Sequence, residues 1–177
     1  MNNTEMDRIR SRWANDEPAL AFWTSGASLA SVEALGRLEF DAIIVDMQHA
    51  PLSAADVLAS LIALDGGGAS PLVRTLGHEP AAIGQVLDAG AAGVICPVVE
   101  TRAEAEALVR ASHYPPVGAR SWGPYRAQFS LSGDYVPRAN DWTIACPQIE
   151  TRGALDDLDD ILSLEGVDMV STIIVVR

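Results

Sequence analysis

The chain has 177 residues, of which 49% are apolar and 20% charged, a composition typical of one soluble globular domain and not of a disordered or fibrous protein. Its net charge of −12 argues against a nucleic acid or an anionic membrane as the main partner, because both require basic patches. No apolar run approaches the roughly 18 residues of a membrane span, and the first residues lack a signal-peptide core. We therefore expect a cytoplasmic protein that acts on a small molecule.

Short apolar runs alternate with amphipathic helical segments along the chain. After a polar helical lead at 4–15, the apolar runs read ALAFWT, DAIIVDM, PLVRT, AGVICPVV and WTIACPQI, and a last one begins at Gly166. Strands that alternate with helices predict a parallel sheet with helical crossovers. A doubly wound nucleotide-binding sheet is disfavoured because no GxGxxG or phosphate-loop motif follows a strand. We predict an α/β fold over residues 1–177, a single domain forming an incomplete (β/α)₈ TIM barrel of about six strands.

Nearly the same octapeptide occurs twice, as ICPVVETR at 95–102 and as ACPQIETR at 145–152. Each copy predicts a strand that leads into a helix. Side chains alternate along a strand, so Gln148 and Glu150 share one face of the second copy, and Val98 and Glu100 share one face of the first. The pattern predicts a carboxylate at the exit end of both strands.

Polar side chains also follow the second and third predicted strands. The segment IIVDMQHAP places Asp46 and His49 where the second strand ends. An Asp beside a His can make a general base, although Asp46 capping a turn, with His49 as a loop residue, explains the motif as well. Arg74 ends the third strand, where a guanidinium suits a carboxylate or a developing enolate oxygen. The alternative is a salt bridge at the rim with a carboxylate such as Glu79.

The fifth strand delivers an amide and a carboxylate, Gln148 and Glu150, to the same rim. Such oxygen ligands, completed by water and substrate, suit a hard divalent cation. Glu100 is either a second acid at the mouth or a helix N-terminal charge favoured by the dipole. His78 and His113 lie in loop contexts, and we expect both to be solvated.

One connection, 113–140, is longer than usual, and we expect it to be a functional loop at the rim. Its residues Arg120, Arg126, Trp122 and Tyr125 could wall a pocket, with Arg126 binding an acidic substrate. Aromatic packing of an ordered loop explains Trp122 and Tyr125 equally well.

Several of these segments, in order, resemble the HpcH/HpaI aldolase family. They are FDAIIVDMQHAP, PLVRT, QVLDAGAAGVICPVVET, YPPVGARSWGPYRA, ANDWTIACPQIET and ILSLEGVDMV, from about Ala21 to Val170. The resemblance implies a (β/α)₈ barrel and a class II pyruvate aldolase, which uses a divalent metal such as Mg²⁺, Mn²⁺ or Co²⁺. The expected substrates are 4-hydroxy-2-oxo or 2-keto-3-deoxy acids, cleaved to pyruvate and an aldehyde, and a complete barrel is expected to form a homo-oligomer.

The resemblance also implies roles for individual residues. Asp46 and His49 correspond to the family's acid/base pair, which works through water. Arg74 corresponds to the arginine that binds the enolate, Gln148 to the glutamine that contacts pyruvate, and Glu150 to the first metal-binding acid.

The chain departs from the family pattern at its end. Where the family continues into Ile-Gly-Pro and an Asp-Leu pair that holds the second metal-binding acid, this sequence reads STIIVVR and stops. We therefore expect an incomplete barrel with an open strand edge, which favours self-association. Two alternatives to the aldolase remain: a CoA-thioester lyase of the citrate lyase type, and an inactive fragment that acts only by assembly.

Overall fold

The computed structural model describes residues 8–26, 28–130 and 135–172, and within them six parallel strands form one curled half-barrel. The strands are β1 (Ala21–Thr24), β2 (Ala42–Asp46), β3 (Ser70–Arg74), β4 (Gly93–Cys96), β5 (Ile144–Ile149) and β6 (Ser171–Thr172), paired in chain order. The helices are α1 (Arg8–Ala14), α2 (Leu29–Gly36), α3 (Ala54–Leu64), α4 (Pro80–Asp88), α5 (Arg102–Ser112), α6 (Ala127–Ser130), α7 (Tyr135–Trp142), α8 (Arg152–Asp156) and α9 (Leu158–Leu162). The predicted barrel topology is confirmed for these residues. The expectation about the final segment falls largely on 173–177, outside the described residues.

Side-chain caps fix the points where the helices begin after the strands. Ser53 and Asp56 form a reciprocal capping box at α3, and Thr101 and Glu104 form a second one at α5. Each pair satisfies two backbone N–H groups that the first helical turn would otherwise leave without partners. The caps keep the strand-to-helix connections short, which holds the polar residues of these connections at the carboxyl end of the sheet.

Alternating apolar residues divide the core into two layers. Ile43 and Val45 of β2 pack outward against the helices, whereas Ala42 and Ile44 face the concave interior of the sheet. The same alternation recurs on the neighbouring strands, as expected for a barrel strand that is buried on both sides. Among the described residues, the interior layer is therefore filled by apolar side chains.

The two octapeptides lie on neighbouring strands but one residue out of step. β4 pairs with β5 so that Ile95 lies opposite Cys146, not opposite the Ala145 that matches it in sequence. Because one step along a strand exchanges its two faces, Cys96 points outward to the helices while Cys146 points into the interior. Both cysteines are free and buried, and burial raises the pKa of each thiol to about 12.

The first helix closes the amino end of the half-barrel. Ile9 packs into the interior layer, and Arg10 donates to the Thr143 carbonyl at 3.1 Å and to Asp168 Oδ1 at 2.6 Å. Asp168 in turn accepts the Ala145 backbone N–H at 2.9 Å. This arrangement joins α1 to the starts of β5 and β6, so the interior layer is covered from below.

The long connection lies at the amino end of the sheet, and its predicted position at the rim is wrong. It joins the end of α5 to the start of β5, and helices run antiparallel to the strands that they connect. Arg126 donates to the carbonyls of Ala89 at 3.0 Å and Leu61 at 3.3 Å, which lie at and near the ends of α4 and α3. The sequence could not distinguish the two ends, because the length of a loop does not record its position.

Other residues of this connection pack among themselves. The Trp122 ring lies 5.0 Å from the Tyr114 ring, which itself makes an edge contact with Tyr135. Arg120 is buried, lies 4.5 Å from the Tyr114 ring and pairs with Asp88 at 2.6 Å. These contacts agree with the aromatic packing that the sequence offered as the alternative for Trp122. Tyr125 is half-exposed.

None of the helices in 8–26, 28–130 and 135–172 is long and apolar enough to cross a membrane.

Candidate active site

The carboxyl ends of β2 and β3 meet in a buried ion pair. Arg74 Nε lies 2.8 Å from Asp46 Oδ1, and Arg74 Nη2 lies 2.6 Å from Asp46 Oδ2. The guanidinium also stacks over the Trp23 ring at 4.7 Å. Burial alone would raise the pKa of Asp46, but hydrogen bonds from Arg74, the His49 backbone and the Trp23 side chain lower it to about 2. Asp46 is therefore a fixed negative charge that holds Arg74 in one plane.

His49 follows this pair and is exposed. Its backbone N–H, 3.3 Å from Asp46 Oδ1, and that of Gln48, 3.0 Å away, both donate to the carboxylate. Within the described residues the His49 imidazole makes no hydrogen bond to Asp46. The carboxylate thus caps the turn after β2, which is the simpler of the two interpretations of this motif, and it pairs with Arg74 rather than with the imidazole. Arg74 likewise has Asp46 as its partner and not Glu79.

The end of β5 carries the amide and the carboxylate that the sequence singled out. Gln148 is fully buried and donates from Nε2 to Glu150 Oε2 at 2.9 Å. Its own Oε1 is buried without a hydrogen-bond partner among the described residues, and so is Oε1 of Gln48. A buried acceptor without a partner costs about 1–3 kcal/mol, which makes both amides candidates for contacts with a ligand.

The turn after β4 reaches the same carboxylate. The backbone N–H of Val98 donates to Glu150 Oε1 at 2.9 Å, and the preceding carbonyl, of Pro97, lies 2.7 Å from Nε2 of His78. Val98 has a φ of 54°, a conformation that is rare for a β-branched residue and occurs most often at functional positions. Val98 is not among the site residues predicted from sequence, and His78 was expected to be solvated. No local pattern marks either residue, because both contacts join segments that follow different strands.

Two further expectations are corrected or resolved by the packing. His113 is buried, with Nδ1 2.9 Å from the Val109 carbonyl, because it ends α5 under the long connection rather than in a solvated loop. Glu100 lies beside Gly153 in the first turn of α8, where the helix dipole favours a negative charge. The position of Glu100 agrees with the role of a helix N-terminal charge rather than that of a second acid at the mouth.

The oxygen donors at the end of β5 fit a hard divalent cation. Each oxygen of the Glu150 carboxylate accepts one hydrogen bond and keeps a lone pair, and Oε1 of Gln148 is unpartnered. A cation such as Mg²⁺ needs only one or two carboxylates when water and substrate oxygens complete its shell. No group of three or more His, Cys, Asp or Glu side chains suitable for a metal occurs in the part of the chain that the structure describes.

Comparison with known proteins decides the family. Residues 19–172 match the model of the HpcH/HpaI aldolase/citrate lyase family. The chain belongs to this family. A hydroxypyruvate/pyruvate aldolase of Rhizorhabdus wittichii is 44% identical over 165 residues, which cover 93% of this chain and 66% of that protein. A 4-hydroxy-2-oxo-heptane-1,7-dioate aldolase of Klebsiella pneumoniae is 37% identical over 96% of this chain and 64% of its own length.

The fold comparison agrees with this assignment. The crystal structure of an HpcH/HpaI aldolase/citrate lyase family protein from Burkholderia cenocepacia superposes with a TM-score of 0.84 at 31% identity, covering 97% of this chain and 68% of that one. The chain spans about two thirds of the length of these HpcH/HpaI relatives.

Proposed function

We propose that this chain carries the pyruvate-binding and metal-binding side of a divalent-metal-dependent pyruvate aldolase. One observation carries the proposal: Arg74 and the Gln148–Glu150 pair project from the carboxyl ends of β3 and β5, the end at which barrel enzymes place their chemistry. Similarity to aldolases that act on hydroxypyruvate, pyruvate or a 4-hydroxy-2-oxo acid supports the same class of substrate. The reaction would break the C3–C4 bond of a 4-hydroxy-2-oxo acid.

Arg74 is suited to binding the oxyanion of the substrate. Its Nε and Nη2 are engaged by Asp46, which leaves Nη1 without a hydrogen-bond partner in the described part of the chain. A guanidinium held on two sides loses little freedom when it binds a third acceptor, such as the 2-oxo oxygen as it becomes an enolate. The low pKa of Asp46 keeps this support ionised throughout the neutral range.

The remaining roles follow the chemistry of cleavage. Glu150 would hold the divalent cation, which when bound supplies positive charge that stabilises the enolate, and Gln148 would contact the bound pyruvate. The exposed imidazole of His49 is the group proposed to take the proton of the C4 hydroxyl through water as the aldehyde forms. A proton returned to C3 of the enolate then gives pyruvate.

The experiment compares Mn²⁺ binding to the wild-type chain and to Glu150→Gln by titration calorimetry. The substitution keeps the size of the side chain and an oxygen acceptor but removes the charge, so we expect the affinity for Mn²⁺ to fall by at least about 100-fold. Glu33→Gln, in an exposed pair with Arg37 near the end of α2, is the matched control and should bind as the wild type does. Equal affinity in wild type and Glu150→Gln would remove Glu150 as the ligand.

A further inference from the structure

One peptide group connects His78 to Glu150. The carbonyl of Pro97 lies 2.7 Å from Nε2 of His78, and the N–H of Val98, on the same peptide group, lies 2.9 Å from Oε1 of Glu150. A carbonyl oxygen only accepts hydrogen bonds, so Nε2 of His78 must carry the hydrogen. The four residues therefore form a continuous chain of donors and acceptors that runs from the loop after β3, across the turn after β4, to the end of β5.

This chain of hydrogen bonds fixes an otherwise exposed carboxylate. Glu150 is open to solvent, and water competes for its oxygens. Its Oε2 is held by Gln148, which is buried and part of β5 itself, so Oε1 is the oxygen whose orientation depends on another strand. A donor that binds the carbonyl oxygen of a peptide group polarises that group and strengthens its N–H as a donor. His78 can thus act on Glu150 without touching it.

The loop that carries His78 is itself anchored to β4. The Gly77 carbonyl accepts from Thr75 Oγ1 at 3.0 Å and from Cys96 Sγ at 3.6 Å. These contacts hold the residue before His78 against the strand that leads into Pro97. The positive φ of Val98 is the conformation that this turn imposes, and it is maintained at a cost of about 1–3 kcal/mol by the surrounding contacts.

We infer that His78 is a positioning residue for Glu150 and acts through the Pro97–Val98 peptide group. The inference rests on the proposed role of Glu150 as a metal ligand. A partner that orients a metal-binding carboxylate typically affects metal affinity by about 10–100-fold when it is removed. His78 therefore belongs to the support of the site rather than to the surface.

The first test compares Mn²⁺ binding to His78→Leu and His78→Gln. Leucine fills space but donates nothing, whereas the glutamine amide can place a donor where Nε2 of histidine lies. We expect the dissociation constant for Mn²⁺ to rise by about 10-fold or more in His78→Leu and to stay within about 2-fold of wild type in His78→Gln. A merely structural role would not be rescued by glutamine.

A second measurement, hydrogen exchange of the Val98 amide, tests the inference without any metal. The Val98 amide should be protected from hydrogen exchange in the wild type and in His78→Gln, and should lose protection in His78→Leu and Glu150→Ala. The Ala145 amide, which donates to Asp168 at the other end of the sheet, is the internal reference. The inference would be overturned if the Val98 amide kept its protection in His78→Leu. It would also be overturned if His78→Leu bound Mn²⁺ as tightly as the wild type while Glu150→Gln lost binding. In both cases the assignment of Glu150 as the proposed metal ligand would be unaffected. Wild-type binding in Glu150→Gln would instead refute the metal assignment, and the exchange of Val98 would still decide the contact.

Discussion

Arg74 and Asp46, which lie opposite each other on β3 and β2, form a two-point ion pair at 2.8 and 2.6 Å with almost no exposure to solvent. The pair ties the two strands together at the end where the substrate is proposed to bind. It also leaves the third guanidinium nitrogen, Nη1, without a partner among the described residues and available to an anion. The stability of the fold and the shape of the candidate site therefore depend on the same contact.

Removing the guanidinium should destabilise the chain strongly. Arg74→Met leaves the Asp46 carboxylate buried without its partner, so we expect the free energy of unfolding to fall by about 3 kcal/mol or more, and Arg74→Lys to lose less because it keeps the charge. Urea unfolding at pH 7 measures both. Arg37→Met, which breaks an exposed pair with Glu33, is the control and should cost under about 0.5 kcal/mol. Equal losses in the two methionine variants would show that the buried pair contributes no more than a surface one.

The stability conferred by Asp46 should be lost in acid. Its pKa is lowered to about 2 in the folded chain, so its contribution is fully present above the unfolded value near 4 and disappears as the pH falls through 2. The difference in unfolding free energy between wild type and Asp46→Asn should therefore shrink by about 2 kcal/mol between pH 5 and pH 2. Urea titrations across this range measure it, and parallel curves would mean that Asp46 titrates normally.

His49→Ala should impair proton transfer more than binding. An acid/base residue acts on the transition state, and such groups typically contribute about 100-fold or more to the rate. We expect the exchange of the pyruvate methyl protons in D₂O with Mn²⁺, followed by NMR, to slow by about that factor, while the dissociation constant for pyruvate changes by less than about 3-fold. Exchange at the wild-type rate would exclude His49 from the chemistry.

Val98→Gly should leave the chain as stable as the wild type or more so, although glycine usually weakens a fold. The φ of 54° costs a β-branched residue about 1–2 kcal/mol, which glycine avoids, against about 0.5–1 kcal/mol of added chain entropy on unfolding. Val117→Gly is the matched control, since Val117 is similarly exposed but has a negative φ, and it should lose stability. Chemical unfolding of both variants decides it; equal losses would contradict the strain argument.

Local pattern in the sequence was sufficient for the strands and for most of the helices between them, but not for α6 and α7, which fall mostly in the segment 113–140 that was expected to be a loop. The alternation of apolar runs with helical segments predicted the parallel strands in order, because the central strands β2 to β5 are buried on both sides and the helices between them each have an apolar face. The polar residues at the strand ends were found for the same reason: Asp46, Arg74, Gln148 and Glu150 each end or directly follow a buried run. The hydrogen-bond and ion-pair partners of these residues could not be predicted in this way.

Contacts between strands account for the expectations that failed. The sequence offered His49, three residues away, as the partner of Asp46 and did not reveal the direct ion pair with Arg74, 28 residues away on the next strand. His78 was placed in solvent because its acceptor, the Pro97 carbonyl, is a backbone group that no side-chain motif records. Arg126 was placed at the rim because nothing in a loop's composition states at which end of the barrel it lies.

Because the two octapeptides are offset by one residue, positions that match in sequence lie on opposite faces of the two neighbouring strands. A substitution scan through both copies should not give two similar profiles. In 145–152 the alternate positions Cys146, Gln148 and Glu150 continue from the interior to the candidate site, so ligand binding would be sensitive there. In 95–102 the position that matches Cys146 in sequence, Cys96, packs under the helices, and damage there would be read out as lost stability. Aligning the two copies by their letters would therefore pair each residue of one with the wrong face of the other.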